Sequence, residues 1–405
     1  MKYINKKYYI ENVSVDKLSK KFDTPLYVYS HNKLEENIKK FKSNFKGIDP
    51  LICFSVKSNY NLNILRIISK NGLGADVVSK GELMISIKAG FDPKKIVFSG
   101  VGKTTNEINY AIEKNILLIN AESEGEIINI EKIGKKKKKK INIGLRLNPD
   151  TDAETLKKIS TGKKEDKFGI NQKNLVKIIK KYSNSKYLNI TCLSTHIGSQ
   201  ITSYKPYLKM LKSLQNCINK CNYDFDYIDL GGGMGVQYSS KDKILNYKKY
   251  RDNIKMFKKK NNCKIIFEPG RSIIAKAGVI ISKIIYIKDT DTKKFIIIDA
   301  AMNNLIRPAL YGAKHSIIPS KKNNLIIKKK HEFVGPICET SDKFSTYLNY
   351  QKINQKDNLV ICDVGAYGTV LSSNYNLRPH PPEILVKNKN INIIKKRQKL
   401  SDLIN

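Results

Sequence analysis

Short apolar runs alternate with longer amphipathic stretches from about residue 50 to residue 272, and they do so eight times. The runs are ICFSVKS (52–58), GADVVS (74–79), IVFSG (96–100), ILLINAES (116–123), INIGLRLNP (141–149), ITCLSTHIGS (190–199), FDYIDLGGG (225–233) and KIIFEPGRS (264–272). Between them lie segments with helical spacing, such as NLNILRIISKNG and YKPYLKMLKSLQNCINK. Strand then helix, repeated, predicts a parallel α/β architecture. Eight such units in about 240 residues match a (β/α)8, TIM-like barrel. The chemically unusual residues fall toward the C-terminal ends of these runs: Lys57, Asp76, Arg146, His196, Ser199, Gly231 to Gly233, Glu268 and Arg271. Barrel enzymes build their sites on that face. A doubly wound open sheet is the alternative, and it would gather ligands at one crevice instead of around a ring.

After residue 277 the texture changes. VIISKIIYIKD, KKFIIIDAAM, HEFVGPICE, NLVICDVGAYG and EILVKNKNINIIKKRQ read as strands with few long helical stretches between them. The expected organisation is a barrel over 31–276 and a β-barrel or β-sandwich domain over 277–405, with a contribution from 1–30 through YVYS (27–30). The run Lys135 to Lys140 reads as a solvated loop, because like charges that close repel.

The net charge of +39 first suggests a nucleic-acid binder. The chain has 68 lysines and only seven arginines, however. A surface selected to grip phosphates or read bases would not shun the guanidinium fork. A compositional drift toward Lys, Ile and Asn explains the charge more simply, and no nucleic-acid partner is expected. The seven cysteines show no CxxC pair and no zinc spacing. Reduced thiols in the cytoplasm and no metal are expected. The start, MKYINKKYYIENV, has no long apolar core, and no apolar run approaches the length of a membrane span.

Lys57, at the end of an apolar run, points toward a pocket where a desolvated amine can attack a carbonyl. HIGSQ (196–200) sets an imidazole beside a glycine and a hydroxyl. DLGGGMG (229–235) frees the backbone to approach an anion or, equally, to pack closely against a neighbour. It does not give the GxGxxG spacing of a dinucleotide fold. EPGRS (268–272) places a carboxylate and a guanidinium at one turn. A lysine, a phosphate cradle and a carboxylate for a pyridine nitrogen are together what pyridoxal phosphate needs.

These motifs, with TPLYVYS, VKSN, GADVVSKGEL, RLNP, TGKKEDKFGI, DAAMNNLIRPALYGAKH, GPICETSD, GAYG and SSNYNLRPHPPEILV, span nearly the whole chain. In this order the chain resembles the meso-diaminopimelate decarboxylases, in the alanine-racemase-like, fold-type III group of pyridoxal-phosphate enzymes. The resemblance implies a role for each matching residue. Lys57 would carry the cofactor, and His196 would stack on its ring. Ser199, Gly232, Gly233 and the stretch Glu268, Pro269, Gly270 and Arg271 would contact phosphate and ring, with Glu268 on the pyridine nitrogen. Tyr367 would reach both cofactor and substrate. Arg271, Arg307, Tyr311 and Glu339 would contact the amino-acid substrate, with Arg307 and Glu339 reading its distal carboxylate and amine. Cys338 would return the proton after carbon dioxide leaves. Cys338 and Glu339 would serve the neighbouring subunit of a homodimer.

The arginines fit this reading, since Arg146, Arg271, Arg307 and Arg378 fall inside motifs, while Arg66, Arg251 and Arg397 have no role assignable from sequence. Two departures from the family pattern stand out: Ala301 and Ser341 occupy places where glycine is common. The alternatives are a decarboxylase of ornithine, arginine or carboxynorspermidine, or a non-catalytic relative that binds the cofactor.

Overall fold

The computed structural model describes residues 1–239 and 241–404. The chain divides into two compact units, one of residues 38–236 and 243–272, the other of residues 1–37, 237–242 and 273–405.

The first unit is a closed barrel of eight parallel strands with helices between them. The strands are β1 (Leu51–Ser55), β2 (Gly74–Val77), β3 (Ile96–Phe98), β4 (Leu118–Ala121), β5 (Ile141–Arg146), β6 (Leu188–Ser194), β7 (Tyr227–Asp229) and β8 (Lys264–Phe267). Each pairs with its neighbour in sequence, and β8 closes on β1 through Ile266 with Leu51 and Phe267 with Ile52. Closure excludes the open sheet. Each strand is shorter than its apolar run, because the last residues of the run turn away at the C-terminal face. Lys57 accordingly sits in a single 3₁₀ turn, Val56–Ser58, just beyond β1.

The strand period of two explains the barrel interior. Cys53, Val97, Leu118, Cys192 and Ile266 form a buried apolar layer. Two residues further along each strand come Ser55, Ser99, Asn120, Ser194 and Glu268, all buried. A dry layer therefore carries a polar one directly toward the C-terminal end. Three helices that follow the strands start alike. Ser79, Thr104 and Ser123 accept the backbone N–H of Glu82, Glu107 and Glu126 at 3.1, 3.3 and 3.2 Å. Each cap contributes about 1 kcal/mol and pins the loop before it.

The helix Glu124–Lys137 takes in the first half of the lysine run, so Lys135 to Lys137 are helical and not loop. Cations in a last turn oppose the negative helix end, which offsets their mutual repulsion.

In the second unit, Leu26–Ser30 lies between Gly278–Asp289, antiparallel, and Glu383–Lys387, parallel. Its core gathers Ile10, Val15, Leu18, Leu26, Val28, Val279, Ile281, Val360, Ile384 and Val386. Arg397 acquires a role here. One guanidinium nitrogen donates to the carbonyls of Phe22, Asp23 and Pro25 at 3.2, 3.2 and 3.0 Å. Among the described residues no helix is long and apolar enough to cross a membrane.

Candidate active site

The polar layer of the barrel ends in a cluster of three carboxylates and one ammonium. Lys57 Nζ lies 3.1 Å from Asp76 Oδ2. Ser55 Oγ lies 2.9 Å from the same oxygen and 2.9 Å from the Glu268 carbonyl, so β1, β2 and β8 meet at one hydroxyl. Glu268 accepts from Ser99 Oγ at 3.2 Å. Asn120 Nδ2 donates to Asp229 Oδ2 at 3.2 Å. Asp76, Asp229 and Glu268 are 0, 1 and 7% exposed.

Burying three carboxylates together is costly in the charged form. Burial, then the charges of Asp229 and Asp76, push the Glu268 carboxyl well above the usual range. Asp229 is pushed up by burial, but only to about 6, because hydrogen bonds from the Glu268 carboxyl, the Gly231 N–H and Asn120 stabilise its charge. Such a cluster favours a cationic partner opposite Glu268.

His196 is half-buried, and desolvation followed by the charges of Lys57 and Arg146 drives its pKa well below the ordinary value. Its ring is neutral at physiological pH. Nδ1 accepts from the Gly232 N–H at 3.1 Å, which places the proton on Nε2. The glycine run is dictated by packing here. Gly231 and Gly233 have φ of +63° and +85°, and a Cβ on Gly232 would lie 2.1 Å from the Glu268 carbonyl. The N–H groups of Gly231 and Gly232 are held by Asp229 and His196, so close packing, one of the two readings the sequence allows, accounts for these two positions. Arg271 Nη2 donates to Ser199 Oγ at 3.0 Å, which joins the turn after β8 to the loop after β6. Pro269 accepts the Ser55 N–H at 3.1 Å, and Gly270 packs on Ser55 and Ser58. Lys57, His196, Ser199, Gly232, Gly233 and Glu268 to Arg271 thus lie at one end of the barrel.

Arg307, Tyr311, Cys338, Glu339 and Tyr367 belong to the β unit. Arg307 and Tyr311 begin and end one short helix, and Arg307 is buried. Cys338 and Glu339 are exposed in the loop 335–342. Glu339 pairs with Ser341 and Tyr375, not with Arg307. Tyr367 holds a left-handed backbone at φ 57°, a conformation uncommon for tyrosine. Ala301 and Ser341 have no positive φ, so their backbone does not demand glycine.

Sequence reasoning left Asp342 without a role. Its carboxylate accepts the N–H of Met302 at 2.7 Å and of Ile337 at 2.8 Å, tying the loop that carries Cys338 to the turn at Met302. In Asp342→Asn one of these amides faces an NH2 group. The change is expected to cost about 1–3 kcal/mol and to lower turnover. Thermal unfolding and kcat check this together; wild-type values for both would contradict it.

Residues 31–275 match the family model described as the pyridoxal-binding domain of pyridoxal-dependent decarboxylases. The diaminopimelate decarboxylase of Aquifex aeolicus is 38% identical over 403 residues, covering 98% of this chain and 95% of that protein. The Haemophilus influenzae diaminopimelate decarboxylase is 40% identical over 409 residues, covering 99% and 97%.

The chain belongs to the diaminopimelate decarboxylase family.

The crystal structure of the Helicobacter pylori diaminopimelate decarboxylase complexed with L-lysine superposes with a TM-score of 0.91 at 36% identity, covering 96% of this chain and 98% of that one. The family's cofactor is pyridoxal phosphate, and the residues present fit it. Lys57 would supply the amine, and the carboxylate cluster would supply a counter-charge for a protonated ring nitrogen. Neutral His196 offers a flat face that does not repel a cationic ring. Two site residues went unselected in sequence reasoning. Asp229 ends β7 and Asn120 lies within β4. Both are polar residues in register with the interior apolar layer, and that register is the signal that finds them.

Proposed function

We propose that this chain decarboxylates meso-2,6-diaminopimelate to L-lysine and carbon dioxide, the last step of lysine biosynthesis, with the cofactor carried on Lys57. The observation that carries the reading is Lys57 set against Asp76, with Glu268 and neutral His196 at the same barrel end. Near-full-length similarity to the curated diaminopimelate decarboxylases supports the substrate.

Bound pyridoxal phosphate supplies an electron sink for the pair left when the carboxylate departs. Glu268 would keep the ring nitrogen protonated, and His196 would pack on the ring face. Ser199, Gly233, Gly270 and Arg271 would hold the phosphate, and Tyr367 would be a further contact. Arg307 holds the distal carboxylate of the substrate as a bidentate fork, a task lysine performs poorly. Glu339 takes the distal amine, and Arg271, Tyr311 and Tyr367 add substrate contacts. Cys338 delivers a proton to the α-carbon.

The active unit of this reading is a cytoplasmic homodimer in which Cys338 and Glu339 serve the partner's barrel. The exposure of both residues supports this. The test is competition. Holoenzyme receives equal amounts of meso-diaminopimelate, ornithine and arginine, and products are separated. Lysine is expected as the main product. Putrescine or agmatine as the main product moves the substrate to ornithine or arginine.

A further inference from the structure

Arg307 is held by two neutral side chains from different segments of the β unit. We infer that His315, with Tyr238 beside it, is a positioning residue that sets the Arg307 guanidinium for a substrate carboxylate. This rests on the reading of Arg307 as the carboxylate receptor.

The geometry fixes the chemistry of the imidazole. Arg307 Nη1 donates to Tyr238 Oη at 2.9 Å and lies 3.1 Å from His315 Nε2. A guanidinium has only donors, so Nε2 must present its lone pair. The other ring nitrogen, Nδ1, lies 2.9 Å from the Cys362 carbonyl, which can only accept. The proton is therefore on Nδ1, the ring is neutral, and both nitrogens are committed. A flipped ring would lose both bonds.

The surroundings hold this arrangement. His315 and Arg307 are 1% and 4% exposed. The Ser345 hydroxyl donates to the His315 carbonyl at 2.9 Å. The Tyr238 ring meets the imidazole edge-on, with centroids 5.1 Å apart, and the Arg307 guanidinium carbon lies 5.1 Å from the Tyr238 ring centroid. Tyr238 arrives on Gln237–Asp242, the chain that leaves the glycine run and joins the β unit. That segment is pinned by the Asp242 carboxylate, which accepts the N–H groups of Tyr238 and Ser239, each at 2.9 Å. The Ser316 hydroxyl donates to the Tyr238 carbonyl at 3.2 Å.

Neutral acceptors orient a guanidinium without cancelling its charge. A carboxylate in the place of His315 would compete with the ligand. The fork binds a carboxylate well only when its plane is set in advance. His315 and Tyr238 set that plane from one nitrogen, and neither brings a negative charge of its own.

The test uses holoenzyme and two ligands, lysine and cadaverine, which is lysine without its carboxylate. Affinities are measured by calorimetry, beside KM and kcat for meso-diaminopimelate. His315→Phe is expected to weaken lysine about 10- to 100-fold, as loss of a hydrogen bond to a charged group does, and cadaverine by less than about threefold. KM should rise by the larger factor, with kcat changed much less. His315→Gln keeps an acceptor and a donor, and should restore lysine to within about threefold of wild type. Equal weakening of both ligands, or of neither, overturns the positioning role. Should His315→Phe fail to fold, Tyr238→Phe must show the same bias toward lysine, or the inference fails. Arg307→Ala separates the two claims. If it leaves the preference for lysine over cadaverine intact, Arg307 is not the carboxylate receptor, and the underlying reading falls first.

Discussion

Lys57→Ala is expected to purify without the absorbance of bound cofactor and to release no carbon dioxide above background. The chain has 68 lysines, and most lie on the surface, where an ammonium is hydrated and unreactive. Lys57 differs in its setting. Its ammonium meets the fully buried Asp76 at 3.1 Å, at the polar end of the barrel. Loss of a covalent nucleophile registers on the order of 10⁴-fold or more in turnover. The fold should survive, because the barrel's apolar layer lies beneath this position and does not include it. A spectrum and a carbon dioxide assay on folded variant check both parts. Full retained activity would sink the assignment.

Glu268→Gln is expected to fold, bind cofactor and turn over about 10²- to 10³-fold more slowly, the scale on which loss of one preorganised electrostatic contact is felt. Glu268 is a buried carboxyl kept far from its usual pKa by burial and by Asp229 and Asp76. A cationic ring nitrogen opposite it would relieve that repulsion, and the carboxylate in return would keep the ring protonated. The amide has nearly the same shape, so it isolates the charge. The cofactor absorbance of the variant should also respond differently to pH. An unchanged kcat would show that Glu268 does not govern the ring nitrogen.

The barrel was legible because its signal is periodic. Each strand alternates with a helix, and S-x-x-E or T-x-x-E starts mark helices after β2, β3 and β4. The barrel-end residues were legible because Lys57, His196 and Glu268 stand at strand ends within distinctive motifs. What escaped sequence reasoning was contact between segments far apart in the chain. Residues 237–242 follow the glycine run, yet they belong to the β unit, where Tyr238 meets Arg307 and His315. No local pattern encodes that partnership. Arg397 likewise finds its three carbonyls some 370 residues away, at 22–25. The lysine run misled for another reason. Charge repulsion argued for a loop, while the favourable end of a helix dipole accommodates Lys135 to Lys137.

The glycine run shows how one motif supports two readings. Anion binding and close packing both call for glycine, and the sequence cannot separate them. Gly232 faces the Glu268 carbonyl too closely for any side chain, and its amide is already held by His196. Packing therefore explains the run by itself, and Gly233 with the Gly270–Arg271 turn carries the phosphate proposal.

The measurement that tests the account most directly is borohydride treatment of the holoenzyme, followed by digestion and mass mapping. Borohydride fixes the cofactor permanently to whichever lysine carries it. One pyridoxyl phosphate per chain is expected, on the peptide containing Lys57. A label on another lysine, or one spread over many, would contradict the placement of the site at this end of the barrel.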